Sequence, residues 1–177
     1  MTTYTPGWFD LSAEKYADLG AMLYLSALTA THRHRTLAQS VHCFETPLRL
    51  GQYNIFRQNG YPRGFVTFGG LSPEVEYGLA IEGRHLEDSD FTSGPSFWIL
   101  DLVAPFGQVR QITEMLRQEI PHPRVRTNRM DSDLATPRVV EWTRDDAGEV
   151  HMRLYRRDAF VQQLVEEGLP IGHAGTA

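Results

Sequence analysis

The sequence predicts an α+β fold, with a mixed, largely antiparallel sheet and helices packed on it. Three observations carry this. Two pairs of extended segments are joined by the turn residues Gln58-Asn59-Gly60 and Asp145-Asp146-Ala147-Gly148, which is how antiparallel hairpins read. Segments with apolar residues three and four apart stand between and around these hairpins, so strands and helices alternate only in part. The chain has 177 residues, 41% hydrophobic and 22% charged, which suits one domain with a real core. That domain is expected over residues 1–167, followed by a flexible tail over 168–177.

Each element follows from local chemistry. Residues 12–29 read as a helix capped by Ser12, with Tyr16, Leu19 and Leu23 at helical spacing. The run Thr29-Ala30-Thr31-His32-Arg33-His34-Arg35-Thr36 breaks that pattern and reads as a loop or helix end. A short second helix covers 37–45 and is expected to stop before Pro47. Residues 51–57 and 63–69 are strands, and Ser72-Pro73-Glu74 starts a helix with proline at its first position. Residues 82–95 form a polar loop, and 96–103 a buried strand. Gly107 opens a helix to Glu119 with Val109, Ile112, Met115 and Leu116 on one face, ended by Pro121-His122-Pro123. Strands follow at 124–129, 137–144 and 149–155. A last helix runs from Asp158 to Glu167, with Phe160, Val161 and Leu164 inward.

Bulk properties narrow the function. The net charge is −5, which argues against wholesale nucleic-acid binding. No apolar run approaches the roughly 20 residues of a membrane span, and the N-terminus lacks the pattern of a signal peptide. Cys43 is the only cysteine, so no internal disulfide forms, and a cytoplasmic setting is expected. Residues 71–101 are strongly acidic, whereas Arg110, Arg117, Arg124, Arg126 and Arg129 make 107–130 basic. Such a segment is either an ordinary solvated surface or a face for one acidic partner. Lys15 is the only lysine, which fits codon bias or an enzyme that avoids presenting its own amines.

One residue stands out. Asp101 interrupts the apolar run Trp98-Ile99-Leu100-Asp101-Leu102-Val103, and the strand ends at once in Ala104-Pro105-Phe106-Gly107. A carboxylate in such a strand is costly to bury without a partner. A charged strand end that opens into a turn is a usual place for chemistry.

The run Trp98-Ile99-x-Asp101-x-x-Ala104-Pro105-Phe106-Gly107, preceded by Asp90-Phe91-Thr92-Ser93-Gly94, resembles the signature of the RTX toxin-activating lysine acyltransferases. Leu19-Gly20 ahead of His32-Arg33, Gln52-Tyr53 before Tyr61-Pro62, and Phe65-Val66-Thr67-Phe68 before Leu71-Ser72 extend the resemblance across 19–120. The resemblance implies a GNAT-like fold, a dimer, and a cytoplasmic enzyme with no bound cofactor. It implies transfer of a fatty acyl group from the 4'-phosphopantetheine thioester of acyl carrier protein to lysine ε-amines of a protoxin. It places the two essential residues at His32 and Asp101, with Thr29 where the family has serine. Tyr24, Arg35-Thr36 and Phe68 depart from the family's tryptophan and proline positions and leave acyl-chain length and protein substrate open.

These residues suit the chemistry. A lysine amine, with a pKa of about 10.4, needs a base or a dry pocket before it attacks a thioester. A histidine at position 32 is such a base, and Asp101 can hold its other ring N–H. Backbone N–H groups around Ala104 and Gly107 can steady the oxyanion. An acyl-imidazole on His32 is the competing mechanism. Other readings remain beside these. His32 is one of several loop histidines (His34, His42, His85), and Asp101 can instead pair with an arginine as a structural bridge. Trp98 and Phe106 either line an acyl channel or pack in the core. Cys43 is a thiol nucleophile or an inert packed side chain. His32-x-His34 lacks a third ligand at usual spacing, so no metal is expected. The Gln/Arg-x-x-Gly-x-Gly/Ala loop that holds coenzyme A pyrophosphate in GNAT enzymes is missing. The donor is therefore expected to be a carrier protein docked on the five arginines. The alternatives are an N-acyltransferase for a small amine or biosynthetic peptide, an enzyme using acyl-coenzyme A, and a non-catalytic escort of the protein substrate.

Overall fold

The computed structural model describes residues 11–130 and 137–170. It holds α1 (Ala13–Ala27), α2 (Leu37–Leu50), β1 (Tyr53–Gln58), β2 (Tyr61–Leu71), α3 (Pro73–Tyr77), β3 (Ser96–Val103), α4 (Val109–Glu119), β4 (Arg124–Met130), β5 (Pro137–Arg144), β6 (Val150–Tyr155) and α5 (Arg157–Glu166). The six strands form one sheet in sequence order; β1–β2, β4–β5 and β5–β6 pair antiparallel and β3–β4 pairs parallel. The fold is α+β, as expected, and is consistent with a GNAT-like arrangement. The described residues sort into two compact units. One comprises those up to Thr67 together with Leu102–Val109, and the other comprises Phe68–Asp101 with Arg110 onward.

In the first unit, Ser12 caps α1 through Lys15 N–H, and Thr36 and Gln39 form a reciprocal capping box on α2. Met22 and Leu25 of α1 meet Phe44 and Leu48 of α2, and Ile55, Phe65 and Val103 complete this core. α2 does not stop before Pro47 but continues to Leu50. Proline forgoes only its own N–H bond and crowds the carbonyl four residues back. Burial of Phe44 and Leu48, both 0% exposed, outweighs that local cost. The helix ends one turn later at Gly51 in the left-handed region (φ 71°). Lys15, the only lysine, donates to the Arg49 carbonyl near that end at 3.2 Å. The β1–β2 turn is Asn59-Gly60, both at positive φ (52° and 81°), as a two-residue hairpin requires.

The second unit packs Leu71, Val75, Ile81, Trp98, Val139, Tyr155, Phe160 and Leu164 into one core. Leu169 joins it at 3% exposure, and its N–H donates to the Leu164 carbonyl at 2.8 Å. Gly168 and Leu169 therefore belong to the packed body and not to the expected tail, of which 171–177 lie outside the described residues. α4 begins at Val109, two residues after the expected Gly107.

The Asp90–Gly94 motif has a structural use here. Asp90 accepts from Arg84 at 2.8 Å and from Glu87 N–H at 2.9 Å, and Ser93 Oγ accepts from Ser72 N–H at 3.0 Å. Gly94 N–H reaches the Gly70 carbonyl at 3.1 Å. A Cβ on Gly94 would sit 2.5 Å from the Leu71 carbonyl oxygen, and rigid backbone cannot yield that much. Gly94→Ala should therefore destabilise the fold by about 1–3 kcal/mol in chemical denaturation, an overpacking cost.

A buried charge cluster ties this unit together. Arg126, 0% exposed, donates to Glu76 at 2.5 Å, Glu141 at 2.8 Å, and Glu167 at 2.6 and 2.9 Å. Arg124 also meets Glu167, at 2.5 Å, and Tyr155 Oη donates to Glu141 at 2.9 Å. Burial alone would depress the guanidinium, but its bonds with Glu167, Glu76 and Glu141 hold it above its ordinary value. Burial also pushes the Glu76 carboxyl up, against the pull of Arg126. On Glu167, burial is outweighed by Arg126, and its carboxyl lies below the usual range. A raised carboxyl binds its proton more tightly in the folded chain. The stability Glu76 contributes is thus present below its unfolded value and lost as pH rises through its folded value. Glu167 works in the opposite sense at acid pH. Glu76→Gln should flatten the loss of melting temperature as pH rises above the ordinary carboxylate range, as followed by calorimetry.

Candidate active site

His32 lies in a loop built entirely of turns. α1 ends at Ala27, and Thr29 N–H donates to the Ser26 carbonyl at 3.0 Å. Arg33 N–H donates to the Thr29 carbonyl at 3.0 Å, and Arg35 N–H to the His32 carbonyl at 2.9 Å, before Thr36 caps α2. The loop is pinned at both ends by capped helices, so His32 has a fixed backbone. Its ring is half-buried, whereas His34 is exposed and accepts from its neighbour Arg33 at 3.3 Å. Thr29 Oγ1 lies 3.1 Å from His32 Nδ1 and Thr31 Oγ1 lies 2.8 Å from it. The sequence analysis singled out Thr29. Thr31 was missed, although a hydroxyl adjacent to the histidine in a turn is a signal that could have found it.

Asp101 is half-buried near the end of β3 and is engaged by a neighbouring group. It is the last residue of its stretch of the second unit, and Leu102 opens the first unit's stretch. Ala104 is buried, and Gly107 takes φ 88°, a left-handed conformation in which any side chain would be strained. Gly107 N–H points back to the Ala104 carbonyl at 3.4 Å. The turn therefore precedes α4 and is not its first turn. Phe106 is 46% exposed and carries the Arg63 guanidinium 5.2 Å above its ring. Arg63 is not legible as a neighbour of Phe106 from the sequence, because it sits in a strand far from Phe106 along the chain.

Four expected site residues need correcting. Trp98 is 0% exposed and packs edge-on against Phe160 at 6.1 Å, so it is a core residue without surface to offer an acyl chain. Arg126 is equally inaccessible and cannot dock a partner. Arg124 and Arg117 are half-buried and committed, one to Glu167 and the other stacked 4.9 Å over Trp142. Arg110 and Arg129 are exposed, and Arg110 meets Glu114 at 3.2 Å. Three of the five basic side chains are thus committed within the fold, Arg124 and Arg126 to acids and Arg117 to Trp142.

Among the described residues, Asp145, Glu149 and His151 bring ligand-type atoms within 4.8 Å of one another. Asp145 Oδ1 accepts from Ala147 and Glu149 N–H, and its Oδ2 pairs with His151 at 2.8 Å. The hydrogen bond to His151 holds the Asp145 carboxyl below its usual range and raises the imidazole. This is the anatomy of a hairpin turn.

The model of the RTX toxin acyltransferase family matches residues 12–143, which include both the His32 loop and the Asp101 turn. The RTX-I toxin-activating lysine-acyltransferase of Actinobacillus pleuropneumoniae is 27% identical over 70% of this chain and 72% of its own length. A protein-lysine myristoyltransferase of Escherichia coli is 26% identical over 70% of this chain and 73% of its own. A lysine-acyltransferase of Vibrio cholerae is 25% identical over 58% and 67%. With the family model spanning well over half its length, the chain belongs to the RTX toxin acyltransferase family.

Proposed function

We infer that the protein moves a fatty acyl group from acyl carrier protein to lysine ε-amines of an RTX-type protoxin or similar protein. The observation that carries this is the half-buried His32 held by two hydroxyls in a loop that the family match includes. The lysine nitrogen attacks the thioester carbonyl while the His32 imidazole takes the amine proton. The C–S bond then breaks, and the proton passes to the departing pantetheine sulfur, leaving an amide and a free thiol. The resemblance gives Asp101 the acidic role, and the Ala104–Gly107 turn lies in the same unit as His32. The missing pyrophosphate loop favours a carrier-protein donor over acyl-coenzyme A. Of the five basic candidates, Arg110 and Arg129 keep exposed guanidinium groups for an acidic carrier.

No described helix is long and apolar enough to cross a membrane. We place the enzyme in the cytoplasm, where acyl carrier protein is available, with no resident cofactor. We also infer a homodimer. Among the described residues β6 ends the sheet and exposes Val150, Met152 and Leu154 (38%, 63% and 47%), which share one face by alternation. An apolar sheet edge is a template for another strand. Two β6 strands laid antiparallel, with Val150 against Met152, bring Glu149 of one copy opposite Arg153 of the other. Met152→Lys should convert the dimer to monomer in sedimentation velocity, whereas an unchanged sedimentation coefficient rejects this edge.

The donor and acceptor are tested together by following thiol release from acyl carrier protein and from acyl-coenzyme A. The acceptors are an RTX toxin fragment containing lysine, a small amine, and buffer. Release from the carrier protein only with the toxin fragment supports the reading. Release with the small amine points to the biosynthetic alternative, and no release with any pair points to an escort.

A further inference from the structure

One cleft of the second unit is bordered by donors that lack acceptors. It lies between the C-terminal turn of α4 and strands β4 to β6, with Leu116, Ile120 and Val125 among its apolar walls. It encloses about 230 Å3, counting the space at its open mouth. Drug-sized ligands occupy roughly 300–1,000 Å3, so this cleft suits a group of a few atoms. Trp142 borders it at 8% exposure, and its indole Nε1–H is buried with no acceptor among the described residues. Arg117 borders it too. Its Nε–H is likewise buried and unmatched, and its Nη2 reaches only the weak acceptor Met152 Sδ, at 3.7 Å. Buried N–H groups without an acceptor are rare and call for a partner.

Charge selects that partner. Arg117 and Arg144 line the cleft beside the His122 imidazole, and no carboxylate lines it. Of the acids on the neighbouring elements, Glu114 pairs with Arg110 and Asp145 with His151, whereas Glu119 and Glu149 are exposed. The negative C-terminal end of α4 is covered, because Arg144 donates to the Arg117 and Gln118 carbonyls. The Arg117 guanidinium stacks 4.9 Å over the Trp142 ring. Stacking uses its face and leaves its in-plane N–H groups for a ligand. We propose that this cleft is a binding site for a phosphate-type oxyanion, which accepts from Trp142 Nε1–H and from the Arg117 guanidinium. The site stands apart from the acyl-transfer reading and needs only residues of the second unit.

The test uses the full chain labelled with 15N and follows the indole N–H signals of its three tryptophans. Trp142 is assigned through its own backbone, and inorganic phosphate is titrated at fixed pH and ionic strength. The expected result is a saturable shift of the Trp142 indole with a Kd of about 1 mM or tighter. The indole of Trp98, packed against Phe160, should not move, and chloride at equal ionic strength should not shift Trp142. Arg117→Gln should weaken phosphate binding about tenfold, through loss of a charge-assisted bond. Trp142→Phe keeps a ring beneath the guanidinium, loses the N–H, and should weaken binding in calorimetry. A Trp142 indole that stays fixed at about 50 mM phosphate overturns the proposal, since the donors are then met by water alone. An equal shift with chloride, or unchanged affinity in a folded Arg117→Gln chain, overturns it as well. If neither variant folds, the titration of the unmodified chain decides by itself.

Discussion

Arg126→Ala should leave the chain at the edge of unfolding, with a loss of about 3–5 kcal/mol in chemical denaturation. Glu76 is 0% exposed and Glu141 6%, so neither can recover its hydration when the guanidinium is removed. Among the described residues Arg124 pairs with Glu167 and not with Glu76 or Glu141. Three carboxylates would then share one partly exposed cation, and a typical domain has only about 5–15 kcal/mol to lose. The penalty comes from stranded charge more than from lost attraction. Combining Arg126→Met with Glu76→Gln and Glu141→Gln should therefore recover most of it. A loss below about 1 kcal/mol for Arg126→Ala alone would show that the cluster is better solvated than its burial indicates.

His32→Ala should lower the rate of acyl transfer by about 10²–10⁴-fold, the contribution of a positioned base, with the melting temperature little changed. The loop's backbone bonds run from Thr29 and His32 carbonyls to Arg33 and Arg35 N–H and do not use the imidazole. His34→Ala is the matched comparison. His34 is exposed and, among the described residues, bonds only Arg33, so its loss should leave the rate unchanged. Equal effects at the two positions, or none at either, would mean that the histidine of this loop is a surface residue.

Much of the fold was legible because turn chemistry brackets its elements. Asn59-Gly60 marks the first hairpin, and the apolar run of β3 stands between Gly94-Pro95 and Ala104-Pro105. The His32 loop and the Asp101 turn were found through residues whose order resembles a known signature. What was not legible was decided by tertiary contact. Pro47 reads locally as a stop, yet Phe44 and Leu48 bury a face on either side of it. Leu169 follows a glycine near the chain end, yet it plugs a core. Arg126 reads as one of several surface cations, because strand β4 has no clean alternation to mark it as inward. The signal was present in its partner. Glu141 sits in Val139-Val140-Glu141-Trp142 as Asp101 sits in its own apolar run, and the same desolvation argument calls for a buried cation there.

The central claim is amide formation on a protein lysine by this chain. The direct measurement is the intact mass of a lysine-bearing RTX-type substrate after incubation with the enzyme and acyl-loaded carrier protein, before and after hydroxylamine. The expected result is a gain of one acyl group per modified site that survives hydroxylamine and maps to lysine. An unchanged mass with competent donor and substrate, or an adduct that hydroxylamine removes, would contradict it.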